Sequence, residues 1–307
     1  MKDQREGLRE IVLGQTRQED SQVIPPRAGR GELTDKIALV TGAARGQGGR
    51  SHAIALANEG ADIVAIDIAA DIESIPYGLG TKEELEETAQ LIEQTGRRVF
   101  TYVADVRHLM DLQACVQSAI VELGDIDIVV ANAGVMAAGN TDPADHQVYR
   151  DIVETNLFGV WNTLVATVPS MIRKGRGGSI IMISSTQGLA GRGGGDGSAA
   201  AFAYAASKHG VVGLMRSAAN AYAAHNIRVN TVHPTGVPTA MVINDHTVRF
   251  FFQDDPDAAT KLATNLLPVP LVEVQDVTNA VIWLASEKNA RYVTGVTLPV
   301  DAGFSAM

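Results

Sequence analysis

A glycine-rich turn at residues 41–49 is the feature that most restricts how this chain can fold, because it joins an apolar strand to a helix. Residues 37–40 form the short apolar run that is typical of a strand buried on both faces, and residues 51–58 carry apolar side chains at helical spacing. Glycines let the backbone come close to a pyrophosphate, and the free N–H groups at a helix start attract its negative charge. This stretch alone leaves a phosphate-binding turn and an ordinary turn equally open.

Apolar strands and helical patterns alternate from Lys36 to the end of the chain. Such alternation is typical of a parallel sheet with helices on both faces. We therefore predict an α/β fold: a single Rossmann-type, doubly wound parallel sheet of about seven strands, in one domain at residues 33–307. Residues 1–32 are polar and interrupted by prolines and glycines, which favours a mobile N-terminal arm over an arm that contacts another subunit.

The balance of charge limits the partners of this chain, which has 307 residues and a formal net charge of −10. An acidic surface repels nucleic acid and anionic membranes, so we expect neither as a partner and favour a small molecule or a protein. No apolar run approaches the roughly 18 residues of a membrane span, and the N-terminus lacks a signal-peptide pattern. The single cysteine, Cys115, excludes an intramolecular disulfide, which suits a cytoplasmic protein, and its helical spacing predicts a packing role.

Three irregular segments interrupt the alternating pattern. Residues 68–80 are too long for an ordinary strand-to-helix link and are interpreted as a functional excursion. Residues 191–197 are rich in glycine, which favours a flexible loop over a second anion site. Residues 237–270 contain Met241 and the aromatic run 250–252, which predicts a lid over an apolar ligand, with a subunit contact nearly as favoured.

Asp67 ends the second predicted strand, where a carboxylate can accept hydrogen bonds from an adenine ribose. A 2′-phosphate placed there would meet a like charge, so Asp67 favours NAD over NADP. Arg45 argues the other way, because an arginine in the glycine turn could pair with that phosphate. We give Asp67 the greater weight.

Tyr204 and Lys208 are four residues apart on a predicted helix, a spacing that brings the phenol and the ammonium group together. A neighbouring cation lowers the pKa of a tyrosine, so the phenol becomes usable for proton transfer near neutral pH. A surface pair is the simpler interpretation of this helix alone. The upstream glycine turn, together with Ser185 at the end of a parallel strand, favours a catalytic role instead.

Motifs of the short-chain dehydrogenase/reductase family follow one another from about residue 34 onward. The matching residues are, in order, Thr41, Gly42, Gly46, Gly48, Asp67, Asp105, Asn132, Ala133, Gly134, Asn156, Ser185, Tyr204, Lys208, Pro234, Thr235 and Gly236. The combined set is highly specific, so the chain resembles that family closely. Residues 46–52, the segment after Asp67, residues 233–236 and residues 293–303 also resemble the carveol-dehydrogenase-like subgroup, whose members are associated with the redox cofactor mycofactocin and hold NAD tightly.

The resemblance implies hydride transfer between NAD and a secondary alcohol or ketone of alicyclic or terpenoid-like type. Tyr204 would be the general acid/base, and Lys208 would lower the pKa of that phenol while binding the nicotinamide ribose. Ser185 would hydrogen-bond the substrate oxygen, and Asn156 would hold a water that relays protons from Lys208. The homotetramer that is usual in the family is expected here by analogy.

The resemblance also implies which residues hold NAD. Asp105 and Val106 would contact adenine, and residues 132–134 would line the side of the adenosine ribose. Val237 and Thr239 would hold the carboxamide. The full predicted set is Gly42, Arg45, Gly46, Gln47, Gly48, Asp67, Ile68, Asp105, Val106, Asn132, Ala133, Gly134, Tyr204, Lys208, Pro234, Gly236, Val237 and Thr239.

Three features depart from the family pattern. Gly49 is one residue more than usual between Gly48 and Arg50, the stretch 185–204 is long, and Pro238 replaces a polar residue. The first of these puts the geometry of the cofactor site in question, whereas a longer loop costs little free energy. An NADP-dependent carbonyl reductase and a non-catalytic NAD-binding scaffold protein are the alternative functions.

Four other conspicuous side chains have simpler interpretations. We predict that His52 packs or caps a helix and does not act as a base, and that His233 orients the loop beneath the nicotinamide. Asp125 and Asp127 flank the start of a strand without further ligands nearby, so no metal site is expected.

Overall fold

The computed structural model describes residues 31–45, 48–138, 142–191, 197–250 and 264–307, together with the single residues Gly7, Glu10, Gly29 and Asp254. Its centre is a seven-stranded sheet in the order β3-β2-β1-β4-β5-β6-β7, and every adjacent pair of strands is parallel. The strands are β1 (Ile37–Thr41), β2 (Asp62–Asp67), β3 (Val99–Val103), β4 (Ile128–Ala131), β5 (Gly178–Ile183), β6 (Ile227–Pro234) and β7 (Thr297–Val300). The predicted doubly wound sheet is confirmed.

Helices connect the strands and cover both faces of the sheet. They are α1 (Gly49–Asn58), α2 (Lys82–Glu93), α3 (Leu109–Glu122), α4 (His146–Val153), α5 (Gly159–Lys174), α6 (Ala199–Tyr222), α7 (Asp245–Arg249), α8 (Val274–Ala285) and α9 (Glu287–Ala290). Short 3₁₀ turns occupy Thr186–Gly188, Ala223–His225 and Phe304–Ala306. Over the described stretches, no helix combines the length and the apolar character needed to cross a membrane.

The strands bury both of their faces, because alternate side chains point to opposite sides of a sheet. On β1, Leu39 belongs to a core with α3, α5 and α6, whereas Ala38 and Val40 belong to a core with α1, α2 and α8. Cys115 of α3 is buried in the first core, so its predicted packing role is confirmed, and burial raises the pKa of its thiol to about 12.

The position of the site follows from the order of the strands. β1 pairs with β2 on one side and with β4 on the other, so the connections that leave β1 and β4 run in opposite directions. Such a reversal opens a crevice at the carboxyl ends of the strands, where open parallel sheets bind ligands.

The helical stretch that includes α4 and α5 is interrupted. Between α4 and α5 the backbone forms a π turn over Glu154–Phe158, and Asn156 lies at its centre. The side-chain amide of Asn156 exchanges two hydrogen bonds with the backbone of Val135, at 2.8 and 2.9 Å. Helical spacing alone does not reveal these contacts, because Val135 is distant from Asn156 in the sequence.

The excursion at residues 68–80 packs against the catalytic side of the molecule. Its apolar side chains join a cluster with α4, α6 and the loop after β4. The cluster comprises Ile68, Ile72, Ile75, Tyr77, Leu79, Val135, Ala137, Val148, Ile152, Val153, Ala200, Ala203 and Tyr204. The Ser74 hydroxyl donates to the Asp151 carboxylate at 2.7 Å. The excursion is therefore an ordered wall that reaches Tyr204.

Several predicted segments lie partly or wholly outside the described residues. They include most of the N-terminal arm, residues 192–196 of the glycine-rich loop and, within the predicted lid, residues 251–253 and 255–263. In the described part of the lid, Met241 lines the cleft and Phe250 is buried.

Candidate active site

The glycine turn lets the backbone after β1 lie close to the backbone after β4. Gly42 has a φ of +71°, and a Cβ added there would lie 3.0 Å from the Cα of Ala133. The Asn132 side chain donates to the carbonyl oxygens of Thr41 at 3.0 Å and Gly42 at 3.4 Å. These contacts hold the end of β1 against the end of β4. Gly46 and Gln47, both predicted to bind the cofactor, lie outside the described residues.

Gly49, and not Gly48, is the closely packed glycine at the start of α1. A Cβ added to Gly49 would lie 2.0 Å from the carbonyl oxygen of Gly42, whereas a Cβ added to Gly48 would lie 3.7 Å from the nearest atom, Asn132 Oδ1. The sequence match placed the third motif glycine at Gly48 and the extra residue at Gly49. In the structure it is Gly49 whose missing side chain lets the start of α1 lie against the Gly42 carbonyl.

Asp67 is buried at the end of β2, where its carboxylate accepts from the N–H groups of Ala44 at 2.9 Å and Ala69 at 3.0 Å. Burial raises the pKa of Asp67, the two backbone hydrogen bonds oppose that rise, and the nearby Glu84 carboxylate adds to it. Arg45 Nε is 3.1 Å from Glu84 Oε1, and its guanidinium also donates to the Gly78 carbonyl. The Arg45 guanidinium, which could have paired with the 2′-phosphate of NADP, is thus already bound to two groups of the protein.

Asp105 is paired with Arg107, whose side chain donates to both of its carboxylate oxygens. The other end of the Arg107 guanidinium is 2.8 Å from Asp151, so it links the β3 end to α4. Val106 packs at Gly159, where an added Cβ would come within 2.5 Å of it. Both residues predicted to contact adenine, Asp105 and Val106, line the cleft.

Asn156 is fully buried, and its side-chain amide is hydrogen-bonded to the backbone of Val135. A Cβ added to Gly134 would lie 3.2 Å from Asn156 Oδ1 and 3.4 Å from Lys208 Nζ. Asn156 therefore lies behind Gly134, close to Lys208, and does not line the cleft itself. Its predicted water-holding role stays a prediction.

Ser185, Tyr204 and Lys208 meet where β5 ends against α6. Ser185 and Tyr204 both line the cleft, and the Ser185 side chain is near enough to the Tyr204 phenol to oppose the rise of its pKa. Lys208 Nζ lies 5.6 Å from the centre of the Tyr204 ring and donates to the Ile183 carbonyl at 3.0 Å. The helical spacing that predicted a shared face for Tyr204 and Lys208 is matched by this geometry.

The predicted lowering of the Tyr204 pKa is wrong for this structure. Burial raises the pKa of Tyr204, although its hydrogen bond with Ser185 opposes the rise. Burial also lowers the pKa of Lys208 to about 8, since an ammonium group loses hydration there. The spacing of two residues on a helix does not reveal how much water surrounds them, and here burial is the larger effect.

The segment after β6 closes the cleft beside Lys208. Pro234, Val237 and Thr239 line it, whereas Gly236 accepts a hydrogen bond from Val272 at 3.0 Å and lies behind the surface. The cleft has a volume of about 1750 Å³ and joins the glycine turn to the catalytic end. Of the predicted site residues, those that line it are Gly42, Arg45, Gly48, Asp67, Ile68, Asp105, Val106, Asn132, Ala133, Gly134, Ser185, Tyr204, Lys208, Pro234, Val237 and Thr239.

Side chains that the motifs did not single out also hold this site together. The Ser184 hydroxyl donates to the Lys208 carbonyl at 3.0 Å, and a Cβ added to Gly188 would lie 2.6 Å from that same oxygen. The Tyr77 phenol, from the excursion, accepts from the N–H of Met136 at 3.3 Å. The adjacent pair Ser184 and Ser185 was the available signal for the first contact, but nothing in the sequence identified the partner of Tyr77.

The remaining conspicuous side chains have structural partners. His52 is buried with Nδ1 2.8 Å from Thr278 Oγ1, as expected of a packing residue. Asp125 pairs with Arg173, and Asp127 pairs with Lys174. Within the part of the chain that the structure describes, no three His, Cys, Asp or Glu side chains are grouped so that they could hold a metal ion.

Comparison with known proteins agrees with this geometry. The family model described as short chain dehydrogenase matches residues 36–248. An uncharacterized oxidoreductase of Mycobacterium tuberculosis is 49% identical over 274 residues, which cover 89% of this chain and 97% of that protein. The (-)-trans-carveol dehydrogenase of Rhodococcus erythropolis is 46% identical over 276 residues, which cover 87% of this chain and 96% of the relative.

A solved structure is similar over nearly the same length. The crystal structure of carveol dehydrogenase from Mycobacterium avium in complex with NAD has a TM-score of 0.82 and 46% sequence identity, and the match covers 90% of this chain and all of that one. The fold, the arrangement of Ser185, Tyr204 and Lys208, and the extent of these matches lead to one conclusion. The chain belongs to the short-chain dehydrogenase family.

Proposed function

We propose that this protein transfers a hydride between NAD and a secondary alcohol or ketone of alicyclic or terpenoid-like type. The observation that carries the proposal is the meeting of Ser185, Tyr204 and Lys208 at one end of a cleft whose other end is the glycine turn. A dinucleotide with its pyrophosphate at the turn needs one continuous space to bring its nicotinamide to these three side chains. A scaffold that had lost catalysis would have no need of all three side chains.

The residues of the cleft suit a dinucleotide, and they suit NAD better than NADP. At Gly42 and Gly49 no side chain fits, which is the backbone approach that a pyrophosphate turn requires. At the β2 end, the carboxylates of Asp67 and Glu84 lie near one another, and Arg45 is bound to Glu84. A 2′-phosphate would meet two negative charges there. The relative from Mycobacterium avium, which was solved with NAD, points the same way.

The residues proposed to hold NAD follow the cleft from one end to the other. We assign the pyrophosphate to the turn, the adenosine ribose to Asp67 and Ile68, and the adenine to Asp105 and Val106. The nicotinamide half would lie beside Lys208 and the segment after β6. The full proposed set is Gly42, Arg45, Gly46, Gln47, Gly48, Asp67, Ile68, Asp105, Val106, Asn132, Ala133, Gly134, Tyr204, Lys208, Pro234, Gly236, Val237 and Thr239.

The catalytic side chains divide the reaction between them. When bound, NAD supplies the two-electron acceptor for the hydride that leaves the carbinol carbon. Ser185 donates a hydrogen bond to the substrate oxygen, and the Tyr204 phenolate takes the hydroxyl proton as the carbon–oxygen double bond forms. In the reverse direction the Tyr204 phenol returns that proton to the ketone oxygen. Burial raises the pKa of Tyr204, which favours the protonated phenol, the form that donates a proton to a ketone.

Lys208 and Asn156 support these groups. The Lys208 ammonium lies beside the Tyr204 ring, where its positive charge stabilises the phenolate once it forms. Asn156 lies next to Lys208 behind Gly134, within reach of a water that could carry protons away. The Asn156 water and the proton relay are part of the proposal.

The walls of the cleft support an apolar, uncharged substrate. The apolar side chains of the excursion pack around Tyr204, and Met241, Val242 and Ile243 line the cleft from the segment after β6. A carveol dehydrogenase, which is named for a cyclic terpenoid alcohol, is among the similar proteins. We also propose a homotetramer, a cytoplasmic location and an association with mycofactocin, by analogy with the carveol-dehydrogenase-like subgroup.

Mass spectrometry of the purified protein for retained NAD(H), followed by a panel of cyclic secondary alcohols, tests the proposal. Each alcohol is assayed with NAD, with NADP and with an artificial electron acceptor. Turnover of cyclic alcohols with NAD supports the proposal, and turnover only with the artificial acceptor supports a cofactor that does not exchange. A preference for NADP would favour the carbonyl reductase, and NAD binding without any turnover would favour the scaffold.

A further inference from the structure

A buried histidine joins strand β6 to the turn that carries Ser185. His233 is fully buried, and its Nδ1 atom lies 2.7 Å from the carbonyl oxygen of Ser185. Its Nε2 atom lies 2.7 Å from the hydroxyl oxygen of Thr231. Both ring nitrogens are therefore engaged at short distance, one of them on the backbone of a residue of the active site.

The partners of His233 determine its tautomer. A carbonyl oxygen can only accept a hydrogen bond, so Nδ1 must carry the proton and donate to Ser185. In a neutral imidazole Nε2 is then an acceptor, and the Thr231 hydroxyl donates to it. Burial lowers the pKa of His233 to about 4, which agrees with a neutral ring at physiological pH.

The hydrogen bond from His233 is one of two that hold the Ser185 carbonyl in place. The Ser185 carbonyl also accepts from the N–H of Gly188 at 2.8 Å, so both of its lone pairs are used. Ser185 Oγ accepts from the N–H of Gln187 at 3.1 Å, so its own hydroxyl proton can be directed to the Tyr204 phenol or to a substrate oxygen. The position of the backbone thus decides the direction in which Ser185 donates.

We propose that His233 is a positioning residue of the active site, which as the Nδ1–H tautomer holds the Ser185 carbonyl and thereby aims the Ser185 hydroxyl at the substrate oxygen. This inference rests on the proposed function for its catalytic consequence. It assigns to His233 a role directed at Ser185, beyond the predicted support of the loop after β6. The role is local, because His233 reaches Ser185 through one hydrogen bond and does not touch the reacting atoms.

NMR of the unmodified protein tests the structural half of the proposal without any assay of activity. Protein labelled with ¹⁵N at histidine is expected to show His233 as a neutral ring protonated on Nδ1 at pH 7. The signal that disappears in the His233→Leu variant identifies that ring. A ring protonated on Nε2 alone, or a doubly protonated ring, would overturn the proposal.

A set of substitutions tests the catalytic half. Asparagine can place an N–H donor close to the position of Nδ1, whereas glutamine places its amide near Nε2. His233→Asn is therefore expected to keep kcat within about 5-fold of wild type, and His233→Gln and His233→Leu to lose roughly 10- to 100-fold, the cost of a misplaced catalytic group. The affinity for NAD should stay within about 3-fold in all of them, because Ser185 faces the substrate.

A double-mutant cycle separates positioning of Ser185 from general damage. If His233 acts through Ser185, then His233→Gln should lower the single-turnover rate of Ser185→Ala by no more than about 2-fold. An equal loss in the wild-type and Ser185→Ala backgrounds would overturn the inference, as would a His233→Asn enzyme no better than His233→Gln. If the wild type turns over no cyclic alcohol or ketone, the proposed function fails, while the NMR result still decides the hydrogen bond.

Discussion

The catalytic end of the cleft, where β5 and β6 stop, and the glycine-turn end, where β1 and β2 stop, are held together by different kinds of contact. At the catalytic end side chains hydrogen-bond to backbone carbonyls: Ser184 to Lys208, Lys208 to Ile183, and His233 to Ser185. At the glycine-turn end the missing side chains of two glycines let backbone meet backbone, and the Asn132 amide ties the segments together.

The difference between the two ends determines which substitutions each can accept. A hydrogen bond to a carbonyl can be made by more than one side chain, so the catalytic end should accept a replacement that supplies the same donor. Where two backbone segments touch and leave no room for a Cβ, no side chain can be added. At the glycine-turn end, even a glycine-to-alanine substitution should therefore disturb the structure. The four predictions below test this contrast, from the largest expected effect to the smallest.

Removal of the Tyr204 hydroxyl should separate the two ends most clearly. Tyr204→Phe deletes the proton-transferring group but leaves the turn untouched, so kcat should fall by roughly 10³-fold or more while NAD affinity is preserved. Steady-state kinetics and calorimetric titration with NAD provide the two measurements. Retained turnover would remove Tyr204 from the mechanism.

Acidification should destabilise both ends equally, although they are built differently. His52, on the helix after the glycine turn, and His233 are both buried, and burial lowers the pKa of each to about 4. Below pH 6.5 the unfolded chain binds a proton at each histidine that the native protein does not, so stability falls as the pH drops toward 4. Each should contribute a loss of about 3 kcal/mol at pH 4 relative to pH 7.

Urea unfolding of the wild type, His52→Gln and His233→Asn at pH 7, 5.5 and 4 measures these losses. The pH-dependent part of the loss, and not the stability at pH 7, is the quantity to compare, since each substitution also changes packing. Each variant should show a shallower fall than the wild type. If the stability of a variant falls between pH 7 and pH 4 as much as that of the wild type, the replaced histidine is already charged in the native state or does not cause the loss.

An alanine scan of the two adjacent glycines should show which of them is closely packed. Gly49→Ala places a Cβ against the Gly42 carbonyl, so we expect a loss of about 1–3 kcal/mol in stability and roughly 10-fold weaker NAD binding. Gly48→Ala is the matched control, because its Cβ would meet nothing closer than 3.7 Å. If the two variants behave alike, or Gly48→Ala is the worse, the register assigned to the turn is wrong.

Replacement of the carboxylate at the β2 end should change the choice of cofactor without affecting catalysis. Asp67→Ser removes one of two negative charges near a 2′-phosphate, so the ratio of NAD to NADP affinity should fall by about 10-fold, or about 1.4 kcal/mol. Arg45→Ala is the control, since that guanidinium is bound to Glu84 and Gly78 and should alter the ratio by less than about 3-fold. Loss of NADP binding in Arg45→Ala would show instead that Arg45 is the phosphate ligand.

Much of the fold could be read from local patterns. Thr81 and Glu84 have the spacing of a capping box, and both of its hydrogen bonds are present at the start of α2. The helical spacing of Tyr204 and Lys208 predicted a shared face. These predictions succeed because they depend on residues that are close in sequence, where helix geometry fixes the distances.

The predictions that failed depend on residues that are distant in sequence. The hydrogen bonds that hold Asn156 within its π turn go to Val135, 21 residues away. Gly49 acquires its role from the position of Gly42 and Asn132, and the glycine pattern alone placed it one residue off. The raised pKa of Tyr204 results from burial, which no spacing along a helix records.

The sequence by itself determined the alternation of strands and helices and the glycine turn, and it predicted that Tyr204 and Lys208 share one face of a helix, because each depends on the periodicity and chemistry of neighbouring residues. Only the tertiary structure decided the packing register of Gly49, the pairing of Arg45 with Glu84 and the hydrogen bond from His233 to Ser185. Residues 48 apart in the chain, such as His233 and Ser185, meet only when two parallel strands are brought side by side in the sheet.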